Sequence, residues 1–123
     1  MPRVLIVDDD PLSCKVFRAM LERLGYEVTH FVTPQDAIMI MPSKKFDLVL
    51  LDWHMPGSSG EEMLSRIRSG MAGGQHVDVP VIVITADLMT CSREKCMDAG
   101  ATEHLSKPVR LEQLVNIADE LTG

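Results

Sequence analysis

Phe46-Asp47-Leu48-Val49-Leu50-Leu51-Asp52-Trp53-His54-Met55-Pro56-Gly57 runs from an apolar stretch straight into a carboxylate and then into a proline–glycine turn. A strand buried on both faces reads as a continuous apolar run, and open α/β sheets take their ligands beyond the carboxyl ends of such strands. Asp52 is therefore expected at the mouth of a site and not in a solvated loop.

Upstream, Val4-Leu5-Ile6-Val7 is a second apolar run, and it ends in Asp8-Asp9-Asp10. Asp10-Pro11 reads as an N-cap followed by proline at the first helical position. Leu12, Val16, Phe17, Met20, Leu21 and Leu24 then recur at helical spacing until Gly25 closes the helix. Cys14 in this helix is expected to be a packing residue, since nothing beside it in sequence would lower its pKa. Residues 27–32 alternate as a strand nearer a sheet edge does, with His30 expected to be exposed there. Thr33-Pro34 starts a short helix that Pro42 breaks.

Downstream of the 56–60 turn, Glu61 to Ser69 reads as a helix with Met63, Leu64 and Ile67 on one face. Residues 70–78, with Gly73-Gly74, are expected to be a flexible loop. Val79 to Ile84 make a fourth buried strand, with Pro80 necessarily at its start and Thr85-Ala86-Asp87 after it. A polar helix is expected over 88–99, a mixed edge strand over 101–105, then Ser106-Lys107-Pro108 and a closing amphipathic helix over 111–121. Strand and helix alternate five times. The expectation is one α/β domain over residues 1–123: a five-stranded parallel sheet in strand order 2-1-3-4-5, with helices on both faces.

Composition agrees with one core. The 123 residues are 46% hydrophobic and 24% charged, with only 4% aromatic, so aliphatic residues and nine Met must fill the interior. The net charge of −6 argues against nucleic-acid binding by this domain, which would need a basic patch. No apolar stretch is long enough to span a membrane, and Asp8 to Asp10 interrupt any signal pattern at the start. The three cysteines fit no metal or redox spacing, and free thiols in a reducing cytoplasm are expected.

In the expected sheet, the ends of strands one, three, four and five deliver Asp8 and Asp9, Asp52, Thr85, and Lys107 to one rim. Clustered carboxylates repel unless a cation sits among them, and an all-oxygen set suits Mg²⁺ first, with Mn²⁺ second. A lysine and a hydroxyl facing an acid–metal cluster suit a phosphoryl group, and an Asp carboxylate can be the nucleophile toward phosphorus. Single strand-end aspartates often do no more than cap helices. That explains Asp10 but not the ordered set at four strand ends.

These stretches are where a family resemblance rests. Val4 to Asp10, Asp47 to Pro56, Ile84-Thr85-Ala86, Asp98-Ala99-Gly100-Ala101 and Lys107-Pro108 resemble the receiver (response-regulator) domain of two-component signalling, a flavodoxin-like (βα)₅ fold. The resemblance spans residues 3–121. It implies that Asp52 is the phosphoacceptor, that Asp9 binds Mg²⁺ directly and Asp8 mainly through water, and that the His54 backbone carbonyl is a further ligand. It implies that Thr85 and Lys107 hold the phosphoryl oxygens, that Ala86 leaves room beside them, and that the Lys107–Pro108 bond is cis.

The family usually has Tyr or Phe, the switch residue coupled to Thr85, where this chain has His104; two readings stay open, a surface contact residue or a side chain that turns inward on phosphorylation. Histidine can change charge near neutral pH there. His54 and Asp87 would border the path of the water that hydrolyses the phosphate, and so set its lifetime. The implied partners are a histidine kinase or histidine phosphotransfer protein, meeting the first helix near Pro11 and Leu12 and the Pro108 loop. An output domain or target protein would meet the face of the fourth helix, fifth strand and fifth helix around His104, Ser106 and Arg110. A monomer, or a weak dimer through that same face, is expected.

The favoured function is a cytoplasmic phosphoacceptor switch that catalyses only its own phosphorylation and dephosphorylation. Stand-alone regulator, receiver of a DNA-binding regulator and receiver of a hybrid histidine kinase all stay open. The alternative is a Mg²⁺-dependent phosphatase-like hydrolase using Asp52 as nucleophile, which would need a further acid/base and a substrate pocket. A flavodoxin-like cofactor carrier would want a Ser/Thr/Gly-rich loop where this chain has three aspartates.

Overall fold

The computed structural model describes residues 2–55, 58–86 and 93–122. Five parallel strands, β1 (Arg3–Val7), β2 (Glu27–Phe31), β3 (Leu48–Asp52), β4 (Val81–Thr85) and β5 (Glu103–Ser106), form one sheet in the order β2-β1-β3-β4-β5. The helices are α1 (Pro11–Glu22), α2 (Pro34–Ile40), α3 (Gly60–Arg68), α4 (Arg93–Asp98) and α5 (Leu111–Thr122). A two-residue antiparallel ribbon, His54–Met55 with Ser58–Ser59, lies between β3 and α3 and was not expected from the sequence.

Strand periodicity makes the two layers. Val4, Ile6, Leu48, Leu50, Ile82 and Ile84 face Phe17 and Leu21 of α1 and Leu114 and Ala118 of α5. Leu5, Val7, Val49, Leu51, Val81 and Val83 face Ala37 of α2, Met63, Leu64 and Ile67 of α3 and Cys96 of α4. The three central strands are buried along nearly their whole length, as their apolar runs require.

The helix starts follow the capping chemistry. Asp10 accepts from Leu12 N at 3.1 Å, Thr33 from Asp36 N at 3.3 Å and Ser59 from Glu62 N at 3.1 Å. Each satisfies a backbone donor that the first helical turn leaves over.

Three expectations need correction. Residues 70–78 are ordered and include a 3₁₀ turn, Gly74–His76, with Ala72 and His76 fully buried. His76 Nε2 accepts from Phe46 N–H at 3.0 Å, while its Nδ1 lies 2.8 Å from Ala72 O, which fixes the proton on Nδ1. Arg68 donates to the carbonyls of Val77, Val79 and Gly100 and so clamps the same loop. His30 is half-buried, with Nε2 enclosed and lacking a hydrogen-bond partner. Leu12 and Val16 of α1 and Leu24 just beyond it are 68%, 41% and 42% exposed, which agrees with the exposed side expected near Leu12. Cys96 is disulfide-bonded, so the free-thiol expectation holds only at Cys14; Cys91 lies outside the described residues. Methionine serves both roles: Met41, Met55 and Met63 fill the core, while Met39 and Met71 are exposed.

Candidate functional site

Strand register assembles the site. Val7 pairs with Leu51, so Asp8 and Asp52 emerge side by side at the carboxyl rim. Asp52 pairs with Ile84 and Thr85 with Ser106, which brings Thr85 and Lys107 to the same rim. Ligand oxygens of Asp8, Asp9 and Asp52 lie within 4.8 Å of one another. Lys107 Nζ stands 3.2 Å from Asp8 Oδ2 and 3.9 Å from Asp52 Oδ2. The Lys107 N–H donates to Thr85 O at 2.9 Å, which ties the lysine's backbone to the end of β4. The Lys107–Pro108 bond is cis.

Burial sets the electrostatics. Asp8, Asp52 and Thr85 are 2%, 6% and 0% exposed, Asp9 is half-buried and Asp10 is exposed. Burial, then the charge of Asp8, pushes the Asp52 carboxyl up to about 7, against the opposing pull of Lys107 and of the His54 N–H. That N–H donates to Asp52 Oδ1 at 3.3 Å. Burial works against the Lys107 ammonium, but Asp52 and Asp8 outweigh it and hold its pKa above the ordinary value. The site is thus short of positive charge: one ammonium faces three carboxylates. All-oxygen ligation with two buried carboxylates and one half-buried carboxylate fits a hard divalent cation of the Mg²⁺ type.

The other candidate residues are spread around this centre. The His54 side chain is exposed, and its backbone pairs with Ser59 in the small ribbon. His104, in β5, is half-buried and pairs in register with Val83. Its backbone N–H donates to Glu103 Oε1 at 3.1 Å, and the same carboxylate forms an ion pair with Arg93 of α4. Asp87 lies outside the described residues.

One residue that shapes the site escaped the sequence reading, and another, Cys14, sits there in the packing role expected of it. A Cβ on Gly60 would stand 2.7 Å from Asp52 O and 2.8 Å from Trp53 Cα, so α3 can start against the end of β3 only because residue 60 is glycine. The signal was available in Ser59-Gly60-Glu61, a cap followed by the first helical residue. Cys14 Sγ lies 3.2 Å from Asp8 O, and burial pushes its thiol up to about 12, so it packs beneath the rim as an inert group.

An oxygen-lined acidic rim with one lysine, on a parallel sheet of this order, is the geometry of a site for a hard cation. The match to the model of the response regulator receiver domain covers residues 4–119, and the chain belongs to that family. It is 32% identical over 122 residues to the sensor protein GacS of Pseudomonas syringae pv. syringae, covering 99% of this chain and 14% of that protein. It is 38% identical over 117 residues to the two-component response regulator ORR26 of Oryza sativa subsp. japonica, covering 94% of this chain and 19% of that protein. The chain therefore spans less than a fifth of either relative. The solved receiver domain of the sensor histidine kinase PA1611 of Pseudomonas aeruginosa PAO1 superposes with a TM-score of 0.88 at 30% identity, over 99% of this chain and 98% of that one. In that structure a magnesium ion is coordinated in the active-site cleft. Among the described residues no helix is long and apolar enough to cross a membrane.

Proposed function

We propose that residues 1–123 form one cytoplasmic phosphoacceptor unit, in which Asp52 takes a phosphoryl group from a phosphohistidine of a histidine kinase or histidine phosphotransfer protein. The observation that carries this reading is the convergence of three carboxylates within 4.8 Å beside one lysine. The Asp52 carboxylate attacks phosphorus in line, the P–N bond to the donor imidazole breaks, and the imidazole leaves as Asp52 becomes an acyl phosphate. Asp8, Asp9, Asp52 and the His54 backbone carbonyl would hold Mg²⁺, or Mn²⁺, which when bound neutralises charge gathering on the phosphoryl oxygens. Lys107 exchanges its carboxylate partners for a phosphoryl oxygen. The Thr85 hydroxyl donates to another.

Those movements carry the signal. Lys107 and Thr85 are joined by a backbone hydrogen bond, so both ends of the β4–β5 pair shift together. The face of α4, β5 and α5 then repacks toward an output domain or target, with His104 turning as the side chain coupled to Thr85. His54 and Asp87 govern the approach of the hydrolytic water. The domain catalyses no turnover beyond its own phosphorylation and dephosphorylation, works as a monomer or a weak dimer through the α4–β5–α5 face, and makes no nucleic-acid contact of its own. A groove beside Lys107 and Pro108, lined by Leu12, Ser13 and Val16, supports docking of the phosphodonor at this rim.

Beryllium trifluoride forms a stable mimic of an acyl phosphate on a carboxylate. With Mg²⁺ it is expected to shift the amide resonances of Thr85, His104 and Lys107 in wild type and to leave Asp52→Asn unchanged. Shifts confined to other residues, or equal shifts in the variant, would contradict the assignment.

A further inference from the structure

Helix α4 is held at its two ends by different means. Backbone bonds close its carboxyl end. Ala101 N–H donates to Cys96 O at 3.1 Å and Gly100 N–H to Met97 O at 3.0 Å, the paired bonds that end a helix on a left-handed glycine. Gly100 supplies that conformation, with φ +109°. Arg68 Nε donates to Gly100 O at 2.9 Å, and the same guanidinium bonds the carbonyls of Val77 and Val79. One half-buried side chain thus anchors this end of α4 to the end of α3 and to the approach to β4.

The amino end is tied through side chains. Arg93, the first residue of α4, forms an ion pair with Glu103, the first residue of β5. The two side chains are 60% and 25% exposed, so water reaches the pair and keeps its strength small. Glu103 Oε1 also accepts the His104 N–H at 3.1 Å, which aims the carboxylate from its own backbone. Burial works against the Glu103 carboxylate, but the hydrogen bonds from Arg93 and the His104 N–H outweigh it and hold its pKa below the ordinary value. Between the two ends, Cys96 is buried against the sheet, while Arg93, Glu94 and Lys95 of the first turn are exposed.

We propose that Arg93 and Glu103 form a releasable electrostatic strap, which holds the first turn of α4 against β5 and, on opening, lets that turn swing out about the anchor at Gly100 and Arg68. An exposed ion pair biases such a two-state balance by about two- to fivefold, a size that a second event can override. The strap also regulates the rim, an inference that rests on Asp52 being a phosphoacceptor. Glu103 pairs in register with Ile82, and Ser106, three residues further along the same strand, pairs with Thr85. A change at Thr85 thus reaches Glu103 along one strand pair, and a strapped α4 raises the threshold for phosphorylation.

The test uses the full chain, ¹⁵N-labelled, in two arms. In the first, without Mg²⁺ or any phosphoryl mimic, relaxation dispersion reads the minor-state population at the amides of Glu94, Lys95, Cys96 and Met97. Arg93→Gln and Glu103→Gln are each expected to raise it about two- to fivefold, with Gly100 and Ala101 unchanged. The charge swap Arg93→Glu with Glu103→Arg is expected to restore the wild-type population. In the second arm, with Mg²⁺, the beryllium trifluoride concentration at half-saturation is expected to fall by the same factor in both single variants. Equal populations in wild type and the single variants, a swap that restores nothing, or an equal rise at Gly100 and Ala101 would each overturn the strap. A half-saturation point unmoved in the single variants would overturn its link to the rim. Wild type that takes up no beryllium trifluoride would sink the phosphoacceptor reading, while the first arm still decides the strap.

Discussion

At Asp52 two effects oppose the charge that a nucleophilic carboxylate must carry. The side chain is 6% exposed, and Asp8 stands beside it, so the folded chain without a cation prefers the protonated acid, with the pKa pushed from 3.8 up to about 7. The consequence for stability has a definite sign. A carboxyl whose folded pKa is raised contributes fully below its unfolded value, and the contribution is lost as pH rises through the folded one. Metal-free wild type should therefore lose stability between about pH 4 and pH 7 relative to Asp52→Asn. The gap should be largest above pH 7, of order 4 kcal/mol at most for a shift from 3.8 to about 7. Urea melts in EDTA from pH 4 to pH 8 measure it. A gap that stays constant with pH would show that the site does not strain Asp52.

At the scale of elements, the join between β3 and α3 is tightly constrained. Gly60 N–H donates to Trp53 O at 2.9 Å, and the helix begins where a Cβ would press on backbone atoms of Asp52 and Trp53. Backbone cannot rotate away as a side-chain tip can. Gly60→Ala should cost roughly 1–3 kcal/mol in thermal or chemical melts and displace Asp52 from its neighbours. An unchanged midpoint would show that α3 can slide. Much of the element order was legible because buried parallel strands are long apolar runs and the helices begin at Asp10-Pro11 and Thr33-Pro34. The loop at 70–78 was misread for a physical reason. Gly73 and Gly74 suggest freedom, but the order comes from Arg68, His76 and Phe46, whose hydrogen bonds join segments far apart in sequence. Local composition carries no trace of such bonds.

At the scale of the whole molecule, the sheet acts as a ruler. The register of four strands, β1, β3, β4 and β5, carries Asp8, Asp52, Thr85 and Lys107 to one rim from positions spread across about a hundred residues of chain. That convergence was legible from strand-end residues alone, because parallel strands all point their carboxyl ends one way. Relative distances were not, nor was the sharing of Lys107 between Asp8 and Asp52. The central claim is that this rim makes Asp52 an acceptor of a phosphoryl group. Intact-mass measurement after incubation with acetyl phosphate and Mg²⁺ tests it most directly. The account predicts a gain of one phosphoryl group in wild type, lost in Asp52→Asn and lost when EDTA replaces Mg²⁺. A wild-type mass that does not change, or an equal gain in Asp52→Asn, would contradict it.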